Sequence, residues 1–496
     1  MSLGTPSTGQ AGMTYDVGYW EGENPPRDEF FWLSQINKAT LVINAKEGLL
    51  REEEAKRFAR GLQSVIAEQS HSGSFRPKMF VRYEPLLIKA CGIEVTKMHV
   101  GRSSQDMHAT FHRTMLRDFI LEFARALNQV RTELYSLCLT HRDTLAPSYT
   151  NGVAAQPNTI GHMWLGHLAG FNRDYEMLRQ YFDRLNRSPM GATVLNGTSW
   201  PLNRDAMAKA LGFDAPVENA YDATMIATTD VMIETATVLL NPLMHVVQFI
   251  QDIMVQYSQS NPWILVGATY ASSAMPQKRN PGSLIDIRRD ANAVLGSLQS
   301  IFFRAHGLTP GHYDAKDMQL NGEMVKDATT VLQHFFAVLP LLMIDKERAL
   351  LELNSDWTAS QELADILMRE HNVPFRLGHH IASAMVTLAR QAHYTPLTFP
   401  YAEVVRLYRE GFAKEPAHDA PSEFPLTEDE FHQALDPRAI VNHRQTAGGP
   451  QPASMDVQFA NTKALLQADR DWLFATVQRL EEAEAATNRA FEALLD

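Results

Sequence analysis

Cysteine is nearly missing from this chain of 496 residues, which carries only Cys91 and Cys138. They stand far apart, each inside an apolar helical pattern, which leaves neither a disulfide framework nor a CxxC metal or redox pair. A reducing cytoplasm is the expected setting. Positive charge is also short: 45 Lys and Arg face 57 Asp and Glu, a formal net charge of −12. Neutralising phosphates requires clustered cations, so neither nucleic acid nor an anionic membrane surface is an expected partner. No apolar run reaches the ~18 to 20 residues that a membrane span needs. The opening MSLGTPSTGQAG lacks the basic and apolar stretches of a signal peptide and reads as a disordered leader. Alternating strand patterns and short-period repeats are missing too.

What the chain has in quantity is helical periodicity. From Met115 the apolar positions Leu116, Phe119, Ile120, Phe123, Leu127, Val130, Leu134 and Leu137 advance by three or four, predicting one long amphipathic helix. A second stretch, Asp222 to Ser258, is apolar almost all round and must be surrounded, at the centre of a bundle or an oligomer. Pro242 within it should kink the helix. Further helices are expected around Asp28 to Glu68, Gly161 to Leu185, Ser283 to His306, Glu323 to Leu342, Ser360 to Glu370 and Asn461 to Leu495. The length allows two to four domains.

Residues 267–282, GATYASSAMPQKRNPG, break two strong helices with small, polar and basic residues, and begin the one local basic excess, Lys278 to Arg289. Asn280 reads as a helix N-cap with Pro281 at the first helical position, aiming a positive helix end at the loop. A hydroxyl, an ammonium, an amide and that helix end would together stabilise a developing oxyanion. The same composition also suits a flexible serine-rich connector, and spacing alone does not separate the two.

SSAMPQKRNP resembles the signature of the fumarase/aspartase superfamily, G-S-S-x-M-P-x-K-x-N, with Ala271 in place of the leading glycine. The resemblance implies β-elimination, in which Ser272 removes a Cβ proton while Lys278 and Asn280 stabilise the resulting aci-carboxylate. Met275 would offer its backbone N–H to a substrate carboxylate or act as a packing lid. No metal and no organic cofactor are implied. A serine alkoxide at neutral pH would depend on the positive potential of Lys278 and on exclusion of water.

Other segments are similar to argininosuccinate lyase: GRSSQDMHAT at 101–110, YTNGVAAQPNTIGH at 149–162, NGTSWPLNR at 196–204, HNVPFRLGHHI at 371–381 and DPRAIVNHRQTAGGP at 436–450. By that likeness Ser103, Ser104, Gln105, Thr150, Asn151 and Gln156 fall at substrate-binding positions. The departures are concentrated there. Ser104-Gln105 replaces Arg-Asn, removing a bidentate carboxylate clamp. Asn151 stands where the family has its active-site His, and Ile285 where it has the partnering Glu, so both halves of a coupled pair are gone. Asn151 can donate a hydrogen bond but cannot deliver a proton at neutral pH. Met225 to Thr228, Val247 to Gln251 and Leu320 to Gly322 lose further family charges. Tyr313 could supply a phenol just ahead of the matching Lys316-Asp317.

The expected substrate is therefore an N-substituted aspartate or succinate other than argininosuccinate. Argininosuccinate lyase activity and a catalytically silent structural relative are the alternatives. The resemblance also implies an all-α, three-domain subunit, with residues 1–105, 106–358 and 359–496 as its parts and a long five-helix bundle at its centre. Four subunits would form a twenty-helix tetrameric core, each active site drawing on three chains. His108 and His112, spaced for a metal pair, lack a third ligand and read as solvent or interface residues. His162 follows the substrate segment and is a candidate neighbour of the site.

Overall fold

The computed structural model describes residues 27–71, 73–267, 269–311, 318–415, 417 and 419–496. The expected leader, Tyr313, Lys316 and Asp317 lie outside them. The chain begins with α1 (Glu29–Lys46), α2 (Glu52–Gln69) and α3 (Phe80–Cys91), then α4 (Ser104–Thr140). A hairpin of β1 (Leu145–Thr150) and β2 (Val153–Thr159) leads to α5 (Ile160–Leu185), the short β3 (Arg187–Ser188), α6 (Arg204–Ala210) and β4 (Ala215–Pro216). After α7 (Ala227–Tyr257) come β5 (Ile264–Val266), β6 (Tyr270–Ala271), β7 (Arg279–Asn280), α8 (Gly282–Ala305), α9 (Gln319–Val338) and β8 (Leu342–Ile344). The rest is α10 (Lys346–Ser355), α11 (Ser360–His371), α12 (Phe375–Ala392), α13 (Tyr401–Lys414), α14 (Glu428–Ala434), α15 (Pro437–Asn442) and α16 (Pro452–Glu492).

The three-and-four spacing read from Met115 produces the 37-residue α4, which starts eleven residues earlier because Ser103 caps it. α4, α5, α7, α8 and α9 pack lengthwise on one another as the central five-helix bundle. Phe123, Leu127, Leu168, Phe171, Leu239, Leu243, Phe249, Leu298 and Phe335 form its core. α7 is entered through a π-helical turn at Asp222–Ile226 and runs on through the buried Pro242. Although no unbroken apolar run reaches the length of a membrane span, the 222–257 stretch as a whole is long and apolar enough to suit one, which corrects the expectation from runs alone. In the fold, α5, α8 and α9 cover one of its faces. Ile233, Leu240, Met244, Val247 and Met254 lie on the other, half-buried or exposed.

Two further apolar cores flank the bundle. One joins Trp32, Ile36, Phe58, Tyr83 and Met98 with Met107 and Phe111 from the start of α4. The other lies among Leu363, Leu377, Ile381, Tyr408 and Phe431. α16 belongs to neither flank alone: Met455, Phe459 and Val477 enter the bundle core, and Phe491 the N-terminal one.

Strands account for the main departure from the all-helical reading. Among the described residues, eight short strands pair two by two, β1 with β2, β3 with β4, β5 with β8 and β6 with β7. The β1–β2 hairpin turns at Asn151-Gly152, both in the left-handed region at φ 54° and 77°. An Asn-Gly pair between two short runs is the strongest local hairpin signal, and it was in the sequence to be read.

α16 is anchored to α4 by a buried ion pair. Arg131 Nη2 donates to Asp469 Oδ2 at 2.7 Å, with the two side chains 0% and 3% exposed, and Arg179 reaches the other carboxylate oxygen at 3.0 Å. Removing one partner strands a buried charge. Asp469→Ala should therefore destabilise the fold by about 3–5 kcal/mol, read as a lower denaturant midpoint. A loss below about 1 kcal/mol, the value of an exposed pair, would show that the pair is not an anchor.

Candidate active site

Three segments hold the predicted site residues. The first is the N-terminus of α4. Ser103 Oγ accepts from Gln105 N–H at 3.2 Å, and Ser103 N–H donates to Asp106 Oδ1 at 2.8 Å. This is the reciprocal arrangement of a capping box, with Asp in the place of Glu. Asp106 Oδ2 accepts from Gly191 N–H at 3.0 Å and Thr193 N–H at 3.2 Å. Thr193 and Val194 both adopt positive φ, 47° and 77°, which is costly for β-branched residues. Their loop is held from three sides: by Asp106, by Thr193 Oγ1 donating to Gly101 O at 2.9 Å, and by Thr224 Oγ1 donating to Val194 O. Ser104 and Gln105 are half-buried on the first turn that this network fixes.

Asp106 was not among the residues predicted for the site, although Ser-x-x-Asp ahead of an apolar run signals a capping box. Burial pushes its carboxyl up to about 6, against the lowering effect of its three backbone donors and of Arg102.

The second segment is the hairpin tip. Thr150 and Asn151 are exposed there, and the left-handed turn gives Asn151 a conformational role that asparagine fills readily. Below the tip, Tyr149 Oη donates to Glu352 and accepts from Gln256 Nε2 at 2.6 Å and Trp263 Nε1 at 3.1 Å. Burial holds that phenol above its ordinary range. Gln156 Nε2 donates to Gln361 Oε1 at 3.0 Å. His162, at the start of α5, contacts Asn158 Oδ1 through Nδ1 at 2.9 Å and Gly448 O through Nε2 at 2.8 Å, so both ring nitrogens are engaged. His108 Nε2 accepts from Phe80 N–H at 3.3 Å, a packing role rather than half of a metal pair.

The third segment is the signature loop. β6 and β7 pair Tyr270 with Asn280 and Ala271 with Arg279, so residues 272–278 form the loop of a small hairpin. Ser272 is half-buried, whereas Ser273, Met275 and Lys278 are exposed. Ser272 Oγ accepts from Met275 N–H at 3.1 Å and Ala274 N–H at 3.3 Å. Lys278 N–H closes the turn on Met275 O at 3.1 Å. The Met275 N–H is thus already aimed at Ser272. Asn280 is not the N-cap: α8 begins at Gly282 behind Pro281, which gives no side-chain cap. Pairing with Tyr270 draws Asn280 into β7 instead, and its Nδ2 donates to Tyr270 O at 3.3 Å. The first segment is tied to the 191–194 loop, and the second to Gln256, Glu352, Gln361 and Gly448. The bonds of residues 270–280 close the third on itself.

Residues 36–296, more than half of the chain, match the family described as lyase. The chain belongs to this aspartase/fumarase lyase superfamily. Residues 357–442 match the argininosuccinate lyase C-terminal family, placing the lyase in the argininosuccinate lyase-like branch. The argininosuccinate lyase of Methanoculleus marisnigri is 28% identical over 470 residues, 93% of this chain and 91% of the relative. That of Anoxybacillus flavithermus is 30% identical over 441 residues, 87% and 92%. Among solved structures, EDDS lyase in complex with formate superposes with a TM-score of 0.84 at 27% identity, covering 94% of this chain and 92% of that one. A class II fumarase from Schistosoma mansoni shares the fold at a TM-score of 0.63 and 13% identity. The lyase is a carbon–nitrogen lyase.

The raised Asp106 carboxyl makes a pH-dependent contribution whose sign is fixed. Between its ordinary value of 3.8 and about 6 the folded state binds more protons than the unfolded chain. Its contribution is therefore full below pH ~4 and is lost as pH rises through ~6, about 3 kcal/mol for a shift of this size. Asp106→Asn should flatten that part of the stability profile, measured as urea midpoints across pH 4–7 against the unsubstituted protein. Parallel profiles would show that Asp106 titrates normally.

Proposed function

We propose that the lyase cleaves the C–N bond of an N-substituted aspartate by β-elimination, releasing fumarate and an amine, with argininosuccinate a poor substrate. The observation that carries this reading is Ser272, whose Oγ already accepts two backbone N–H groups in the loop that also carries Lys278 and Asn280. Those donors favour negative charge on Oγ, which is what a serine base must bear. Ser272 takes the Cβ proton, and the C–H electron pair passes into the adjacent carboxylate as an aci-acid. Lys278 and Asn280 neutralise that charge. The pair then returns to form the fumarate double bond as the C–N bond breaks, and the nitrogen, which enters as a protonated ammonium, takes the bonding electrons and leaves as a neutral amine. Ser103, Ser104, Gln105, Thr150, Asn151 and Gln156 bind the substrate, while the Met275 N–H, engaged by Ser272 Oγ, holds the base in place.

The substrate class follows from what these positions can hold. Ser104 and Gln105 offer single hydrogen bonds where a guanidinium would offer a bidentate clamp. Asn151 supplies an amide, not a proton. A solved EDDS lyase variant carries bound fumarate, and this chain is 27% identical to it over 94% of its length. That likeness supports an N-substituted aspartate as the molecule turned over here.

In this reading the protein is a soluble, cytoplasmic homotetramer whose subunit is organised as residues 1–105, 106–358 and 359–496. The second apolar face of α7, with exposed Phe302 and Phe303 on α8, supports a twenty-helix core. The anchoring of the first two segments to different parts of one subunit supports sites completed by neighbouring chains.

Three measurements test this. Ser272→Ala should reduce kcat at least ~100-fold while leaving the unfolding midpoint nearly unchanged; unchanged turnover would remove Ser272 from the chemistry. Fumarate release, followed by ultraviolet absorbance across a panel of N-substituted aspartates, should exceed that from argininosuccinate, and efficient cleavage of argininosuccinate would overturn the substrate assignment. Native mass measurement should give four chains of 55.8 kDa, and a stable monomer would refute the shared sites.

A further inference from the structure

Immediately before the Ser103–Gln105 segment stands Arg102, only 5% exposed. Its Nη1 donates to Asn37 Oδ1 at 2.9 Å and Thr40 Oγ1 at 3.1 Å, both uncharged acceptors on α1. Among the described residues, its Nε and Nη2 are buried without an acceptor, and so is the Nδ2 of Asn44, one helical turn beyond Thr40. A buried guanidinium is normally satisfied by a carboxylate. The carboxylates near this one are engaged elsewhere: Asp106 by the three backbone N–H groups of Ser103, Gly191 and Thr193, and Glu84 by His99 at 2.6 Å. The face of Phe80, 5.1 Å from the guanidinium carbon, gives the cation partial support.

A cavity of about 20 Å³ adjoins these donors, lined by Thr40, Asn44, Gly101, Arg102, Asn203 and Arg204 among others. Among the described residues, none that lines it is acidic. Arg204 adds a second guanidinium, with Nε and Nη2 already donating to Met190 O and Val217 O. The space admits about one water-sized sphere, too little for a carboxylate or phosphate. A water molecule there would accept two hydrogen bonds but bring two protons that need acceptors. A halide only accepts, which matches a set of donors beside positive charge.

We propose that this cavity binds one small monovalent anion of chloride size, held by Arg102 Nε and Nη2 and by Asn44 Nδ2. The anion supplies the counter-charge that the fold does not place against Arg102, directly behind the turn that presents Ser103, Ser104 and Gln105. Binding to the folded state alone makes stability depend on halide concentration.

The test uses the full-length protein in halide-free buffer at constant ionic strength, with gluconate exchanged for bromide from zero to 100 mM. The unfolding temperature should rise by about 2 °C or more. Crystals grown with bromide should show anomalous density within hydrogen-bonding reach of Arg102. Asn44→Asp, which places a carboxylate beside the guanidinium, should fold and lose the bromide response; Arg102→Met should lose it as well. A halide-insensitive unfolding temperature, bromide density without a thermal response, or a full response in Asn44→Asp would each overturn the proposal.

Discussion

A helix with apolar residues on two faces cannot be satisfied by a neighbour on one, and α7 is such a helix. Within the subunit, α5, α8 and α9 bury the side of α7 that carries Leu239, Leu243, Phe249 and Ile250. The side with Leu240, Met244 and Val247 stays partly open. That demand is met by lengthwise packing of long helices. The site residues expected from the sequence lie at a helix end and in loops that such a bundle holds in place.

The predicted site residues share a construction principle. Ser103 caps a 37-residue helix, Asn151 turns a hairpin, and Ser272 receives the N–H groups of its own loop. In each case the residue assigned to substrate or proton also organises the local backbone. Substituting one of them risks moving the rest of its segment, so turnover and stability have to be measured together. Asp106 extends the principle inward, because a single carboxylate holds the first turn of α4 and a strained loop some 85 residues away.

Much of this was legible in the sequence, and what was not has identifiable causes. Helices with a clear stripe, such as α4 and α5, follow directly from three-and-four spacing. The signature loop stood out because small and basic residues interrupt two apolar helices. The β1–β2 hairpin was overlooked because its strands lack clean alternation: Pro147 and Pro157 sit opposite each other in the ladder, and a bulge interrupts it at Ser148 and Tyr149. Asn280 was misplaced by a local capping rule that tertiary pairing with Tyr270 overrides. Gly191 and Thr193, which bond Asp106, and Asn37 and Thr40, which bond Arg102, lie far away in sequence, where no spacing rule reaches.

α16 closes the molecule in a way that bears on how it is made. Phe491 completes the apolar core around Trp32 and Ile36, Arg27 pairs with Glu484 at 2.6 Å, and Lys38 donates to Asn488 at 2.9 Å. The core around α1 is therefore finished only when residues some 450 positions later in the chain reach it. Until they do, apolar surface around α1 stays exposed, and contacts of such high sequence separation form slowly. For this lyase the α1 core and α16 become native together.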